Sequence, residues 1–310
     1  MNPSQKNKIF GHDKTLLELI NLDKINKLPN KILLSGKNSI GKSTLAYHFI
    51  NYLFSKNEEY SYDINNFTFN SNNRSHILVN NNTHPNLFRI FLKPDKKNIE
   101  ISEIRNLINF INLSSFGDQK KIILIDDVEY LNTNSINALL KVIEEPNENT
   151  FFILINNIDK KLKDTLRSRC IEFKLSINIS SIKNIINYLY KDINYDEISS
   201  DFLNYSCSLS NIFDFLNICI NEKLDYRDIS IENFLKHILD NNLYKKKEFQ
   251  NIDFKSFIEI FFLKKIIDVS NDSIFNLYSY FNKKYHKFKR FNLDMDSFFL
   301  EFNSKILNEQ

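Results

Sequence analysis

Gly36-Lys37-Asn38-Ser39-Ile40-Gly41-Lys42-Ser43-Thr44 fits the pattern G-x-x-x-x-G-K-[ST], the phosphate-binding P-loop. The chain holds only four glycines in 310 residues, and two of them sit at the spacing the pattern demands. Ile32-Leu33-Leu34 before the loop reads as a short buried strand, and Thr44 to Phe54 after it reads as a helix. Strand, loop and helix N-terminus is the order in which backbone N–H groups and the helix dipole converge on a phosphate. Gly36, Gly41 and Thr44 then belong to the cradle, Lys42 reaches the terminal phosphates, and the Ser43 hydroxyl binds Mg²⁺. The plain alternative is a turn that happens to carry these residues.

Outward from the loop, strands and helices alternate. Residues 1–30 hold a short lead and a helical pattern over Leu16, Leu17, Leu19 and Ile20, closed by Pro29. Residues 56–83 are rich in Asn and Ser with little apolar periodicity, and read as a surface insertion with plain loop as the simplest form. Leu87 to Leu92 is a strand, and Ile101 to Leu113 carries an i, i+3, i+4 helical face. Lys121-Ile122-Ile123-Leu124-Ile125-Asp126-Asp127 is an apolar run ending in two acids, as in a parallel strand buried on both faces. Residues 134–145 form a helix stopped by Pro146, Phe151 to Ile155 another buried strand, 160–169 a short helix, and Ile171-Glu172-Phe173 a last strand. The pattern predicts a parallel α/β sheet with its ligand at the C-terminal ends of the strands. After 175 every segment has helical period: 180–192, 210–221, 232–241, 253–269, 272–286 and 292–307. Boundaries near 175 and 240 divide the chain into 1–175, 176–240 and 241–310.

A P-loop alone binds phosphate; hydrolysis also needs an acid for Mg²⁺ and for orienting water. Asp126, at the tip of its strand, stands in the Walker B position, the alternative being an acid that merely solvates a strand end. Asp127 is the candidate water-polarising acid. In hydrolysing relatives that acid is commonly Glu, and Asp is one methylene shorter. Asn156 or Asn157, at the end of the next strand, could sense the γ-phosphate through its amide, or could be an ordinary polar terminus.

Composition sets limits. A net charge of +3 gives no global basic field. The excess of Asn and Lys is a whole-chain bias, which weakens arguments from their abundance. Cys170, Cys207 and Cys219 form no C-x-x-C pair, which fits a reduced, cytoplasmic protein without a zinc site. No apolar run approaches the length of a membrane span. Lys283 to Arg290 is basic with interleaved aromatics, as single-strand binders can be, though a solvated helix end in a Lys-rich chain is the simpler reading.

Asn137-Ala-Leu-Leu-Lys-Val-Ile-Glu-Glu-Pro146, with Asp126-Asp127 before it and Leu166-Arg167-Ser168-Arg169-Cys170 after it, resembles the AAA+ clamp-loader subunits of bacterial DNA polymerase III. Phe10-Gly11-His12, His84-Pro85-Asn86-Leu87 and Ile101-Ser-Glu-Ile-Arg105 match in order, so the likeness covers roughly residues 8–175. The resemblance implies an α/β P-loop (AAA+) domain with a parallel sheet, then an all-α lid domain and an all-α collar domain. It implies ATP and Mg²⁺ as ligands. The implied partners are gamma or tau and delta subunits and, through the assembly, the sliding clamp and primed DNA, with no membrane partner. The family's Ser-Arg-Cys arginine acts on ATP bound by the neighbouring subunit, and that role falls on Arg169. A guanidinium there neutralises charge developing on the γ-phosphate, and supplying it in trans couples hydrolysis to assembly. A surface arginine at a helix end is the alternative. Three departures point toward the delta-prime kind of subunit rather than a gamma/tau motor: no four-cysteine zinc module, no Arg in Ser206 to Ile212, and Asp rather than Glu at 127. The resemblance thus implies weak or absent turnover by the chain itself.

Overall fold

The computed structural model describes residues 7–93, 96–117, 119–145, 149–205, 208–249, 252–269, 272–291 and 293–307. Pro146, Ser206 and Cys207, which the sequence reading used, lie outside them.

Helix α1 (Asp13–Lys24) opens with an acid in its first turn and closes with a base in its last, as the helix dipole favours. Strand β1 (Lys31–Gly36) runs into the P-loop, and α2 (Lys42–Ser55) leaves it. All but one of the residues of α2 are buried, which explains its near-continuous apolar and aromatic sequence. Then come α3 (Arg74–Asn80), β2 (Leu87–Ile90), α4 (Ile101–Asn112), β3 (Lys121–Ile125), α5 (Thr133–Glu144), β4 (Thr150–Asn157), α6 (Asp164–Arg167), β5 (Ile171–Lys174) and α7 (Ile179–Leu189).

The five strands form one sheet in the order β2-β3-β4-β1-β5, with every pairing parallel. Strand β4 lies between β3 and β1, so three strand tips meet at one edge: that of the P-loop, that of Asp126, and that of Asn156. The register pairs Ser35 with Asn156 and Gly36 with Asn157. Alternate strand residues feed two cores. Ile122 and Leu124 join Leu16, Phe49 and Phe54, whereas Ile123 and Ile125 join Ile104, Leu107, Leu139 and Ile143. The α/β reading with helices on both faces is what the structure has.

Residues 56–83 differ from the expected plain loop. They contain α3, and Tyr62, Phe69, His76 and Val79 are buried among the residues of α2. The Asn73 side chain caps α3 by accepting from His76 N at 2.6 Å. Glu58 accepts from Ser75 Oγ at 2.5 Å and Asn73 Nδ2 at 2.6 Å. The His76 ring lies 3.9 Å from that of Phe69, and His48 Nδ1 meets Tyr62 Oη at 2.8 Å. Such a segment is held by side-chain hydrogen bonds and a few aromatic contacts, neither of which leaves an apolar period to detect.

Contact density divides the chain into Met1–Ile185 and Ile186–Gln310. The second unit holds α8 (Ser200–Tyr205), α9 (Leu209–Glu222), α10 (Ile231–Asp240), α11 (Phe254–Val269), α12 (Asp272–Phe291) and α13 (Met295–Phe302). The short α8 is not evident from periodicity. It carries Phe202, whose ring stacks on Phe215 at 3.6 Å and meets Phe234 edge-on at 5.1 Å, with Phe257 closing the cluster. Asp201 accepts from the backbone N–H of Ile231 at the start of α10 and from Lys264 Nζ. In the basic stretch, Tyr285 is buried and Phe288 is half-buried beside Phe298, at 6.0 Å between ring centroids. Among the described residues no helix is long and apolar enough to cross a membrane.

A candidate nucleotide site at the strand tips

Gly36 ends β1 where no side chain fits. A Cβ there would stand 2.5 Å from Ile40 Cδ1 and 2.7 Å from the Leu175 carbonyl oxygen. Gly41 caps α2 with φ +92°, a left-handed backbone that a side chain would strain. Between them the loop turns so that α2 begins at Lys42. The Lys42 ammonium donates to the carbonyls of Gly36 at 3.0 Å and Lys37 at 2.6 Å. Burial lowers its pKa, against the opposing pull of the carboxylates of Asp126, Glu129 and Asp127. Ser43 Oγ donates to Asp126 Oδ2 at 2.6 Å. A hydroxyl and a carboxylate oxygen side by side are hard-oxygen ligands of the kind Mg²⁺ takes.

Asp126 is positioned by the ladder itself, its N–H donating to the Ile90 carbonyl at 2.8 Å. Burial pushes its carboxyl pKa up despite the Ser43 hydrogen bond. Asp127 has left-handed backbone, φ +58°. Its carboxylate accepts from the Leu92 N–H, and burial raises its pKa as well.

Asn156 is buried, and its Oδ1 has no hydrogen-bond partner among the described residues. Such an orphaned polar atom at a strand tip is what a ligand or ordered water would satisfy. Asn157 is engaged differently: its Oδ1 accepts from Asp159 N at 3.1 Å and its own N–H donates to Glu129 Oε2 at 3.2 Å. Thr44 is buried in the first turn of α2. The crowded Gly36, the left-handed Gly41 and the Ser43–Asp126 pair together fit a magnesium nucleotide.

Three residues near this group have no role in the sequence reading. His12 is buried, its Nε2 lies 2.6 Å from the Ile40 carbonyl, and its ring is where a Cβ on Gly41 would make contact. Burial lowers its pKa, so the ring is neutral and Nε2–H is the donor. Phe10-Gly11-His12 matches the family in order, which is a signal without a mechanism. Glu129, in the 3₁₀ turn Val128–Tyr130, joins the Walker B turn to the tip of β4, and burial raises its pKa. Nothing in its spacing announces it. Arg89 donates from Nη1 to Tyr47 Oη at 2.6 Å. Those two residues line a cavity of about 310 Å³ that also reaches Asp126.

Arg169 stands before the first residues of β5, where Ile171 pairs with Ile32, at the sheet edge opposite the P-loop. It follows the short α6 and is held by Glu144 and by the Thr165 carbonyl, with 37% of its side chain exposed. Cys170 beside it is half-buried, and burial pushes its thiol up to about 11, which suits packing rather than nucleophilic chemistry.

Residues 11–178 match the family model described as DNA polymerase III, delta subunit. The chain is 36% identical over 152 residues to the DNA polymerase III subunit delta′ of Buchnera aphidicola subsp. Baizongia pistaciae, across 47% of this chain and 44% of that one. It is 30% identical over 214 residues to the subunit gamma of Buchnera aphidicola subsp. Schizaphis graminum, across 66% of this chain and 56% of that one. The chain thus spans about half the length of these curated relatives. A DNA polymerase III gamma subunit-related protein from Thermotoga maritima shares the fold, with TM-score 0.50 at 16% identity over 94% of this chain and 98% of that one. The family match takes in more than half of the chain, from α1 through the P-loop, both acids and Arg169 to β5: the chain belongs to the DNA polymerase III delta subunit family and is delta-prime-like among clamp-loader subunits.

Proposed function

We propose that the chain works as a delta-prime-like clamp-loader subunit of the DNA polymerase III holoenzyme in the cytoplasm. It binds ATP weakly or not at all, supplies Arg169 to ATP held by a neighbouring gamma or tau subunit, and with delta helps place the sliding clamp on primed DNA. Residues 1–175 are the AAA+ domain, 176–240 the lid and 241–310 the collar through which subunits assemble. In the phosphate cradle, Gly36, Gly41 and Thr44 shape the backbone and Lys42 takes the terminal phosphates. Ser43 and Asp126 hold Mg²⁺, and Asn156 reads the γ-phosphate with its amide. Bound Mg²⁺ would offset the phosphate charge. Asp127, tied to the Leu92 N–H, contributes little to activating water.

The observation that carries this reading is that Arg169 precedes β5 at the sheet edge opposite the P-loop, since Ile171 pairs with Ile32 at the start of β1, and that its side chain is 37% exposed and gripped by Glu144. An arginine so placed serves a site on another chain. The test is ATP hydrolysis by the reconstituted complex. Arg169→Ala should lower turnover while Lys42→Ala in this chain leaves most of it. If Lys42→Ala abolishes hydrolysis and Arg169→Ala barely matters, the reading fails. The isolated chain should bind Mg-ATP weakly by calorimetry and release phosphate slowly or not at all. A second reading, an ATP-hydrolysing motor of the gamma/tau kind, is favoured by the complete P-loop and the gamma relative; robust turnover by the chain alone would select it.

A further inference from the structure

Two arginines leave the loop after α6, and the structure treats them differently. Arg167 is closed in a pair with Glu172, donating from Nε and Nη2 at 2.8 to 3.1 Å, and Glu172 also accepts from Ser35 Oγ. Arg169 donates from Nε and Nη2 to the single oxygen Oε1 of Glu144, at 2.9 and 2.6 Å, and from Nη1 to the Thr165 carbonyl at 2.8 Å. Of its five N–H donors, this leaves one on each terminal nitrogen without a partner among the described residues. Those two, one on each terminal nitrogen, are charged donors of the kind that phosphate oxygens accept.

The carboxylate that does this hangs from a fixed support. Glu144 is the last residue of α5, whose inner face of Ile136, Leu139 and Ile143 is buried. At the other end the Asn132 side chain accepts from Ser135 N at 2.9 Å, and Ser135 Oγ donates to the Ile99 carbonyl at 3.0 Å. A guanidinium on a free stem would lose its rotamer freedom only on reaching its target, whereas one already held on one side meets that cost in advance.

We propose that Glu144 is a positioning residue for Arg169. It grips one side of the guanidinium so that the remaining N–H on each terminal nitrogen is presented to the phosphate of a nucleotide bound by a neighbouring subunit. This rests on the trans role of Arg169 proposed above.

The test uses the assembled complex with this chain as wild type, Arg169→Ala, Glu144→Ala, Glu144→Met, Glu144→Gln and the Glu144→Ala/Arg169→Ala double variant. Assembly is checked by gel filtration. The difference in ATP turnover between wild type and Arg169→Ala defines the share that depends on the arginine. Glu144→Ala and Glu144→Met should each cut that share about tenfold with KM for ATP unchanged, so either one suffices if the other does not assemble. Glu144→Gln keeps an oxygen acceptor and should retain most of it. The double variant should be no worse than Arg169→Ala alone. Full activity in Glu144→Ala or Glu144→Met, a Gln variant no better than Ala, or an extra loss in the double variant would overturn the proposal. No difference between wild type and Arg169→Ala would instead sink the trans reading on which it stands.

Discussion

Asp127 shows how one residue's backbone limits its chemistry. Left-handed φ suits Asp or Asn better than longer side chains. Asp127→Glu should therefore cost about 1 kcal/mol in a denaturant titration and gain no phosphate release, although the Glu is what hydrolysing relatives carry. Asp126 makes a pH prediction. Its pKa is raised by burial, and a protonated carboxyl cannot hold Mg²⁺. Affinity for Mg-ATP should thus be full at neutral pH and fall as pH drops, starting above the ordinary carboxylate range; calorimetric titrations from pH 7.5 down to 4.5 that stay flat would refute this. At this scale the sequence shows which residues carry phosphate chemistry, because the P-loop is a local pattern. It does not show His12 or Glu129, whose positions come from a turn 28 residues from Ile40 in one case and from a contact between strand tips in the other.

Strands buried on both faces are legible as apolar runs, and helices with one apolar face as periods. The segment from 56 to 83 is not legible, because its stability comes from polar and ring contacts, and His84 just after it is held in the same way. That origin makes it acid-sensitive. The His84 ring stacks on Phe54 at 3.8 Å, its Nδ1 accepts from Asn86 N, and burial pushes its pKa down to about 4. The unfolded chain takes up this proton near pH 6.5 and the folded chain does not, so stability falls as pH drops from 6.5 toward 4. The loss is roughly 2 kcal/mol after allowing for solvent screening. His84→Phe, which keeps the stack, should flatten that limb of the pH–stability curve. Lys121, which reads as the first residue of a buried strand, also closes the C-terminus of α4. Its ammonium donates to the carbonyls of Phe110, Ile111 and Leu113. Lys121→Met should cost about 1–3 kcal/mol by leaving those acceptors unpaired, as read from urea midpoints.

The chain has twenty-eight phenylalanines and no tryptophan, and phenylalanines make up most of the largest fully buried side chains among the described residues, although Phe91, Phe116, Phe275 and Phe291 are exposed. In the second unit Phe234 touches Phe202, Phe215 and Phe257, and Phe234→Ala should destabilise that unit by about 3–5 kcal/mol, seen as lost hydrogen-exchange protection in α9 to α11. The helical character of this half is readable from its period. Its α8 is not, being only six residues long. The abundance of asparagine reads as bias alone in the sequence. Yet among the described residues with positive φ outside glycine, four of eight are asparagines: Asn26, Asn82, Asn149 and Asn242. In a chain with so little glycine, asparagine takes the largest share of these left-handed positions, beside Gly11, Gly41 and Gly117. Gly36 is a different case, because what it lacks is room rather than a permissive φ. Asparagine can stand in for glycine's flexibility but not for its smallness, and the phosphate loop is where the chain still needs the latter.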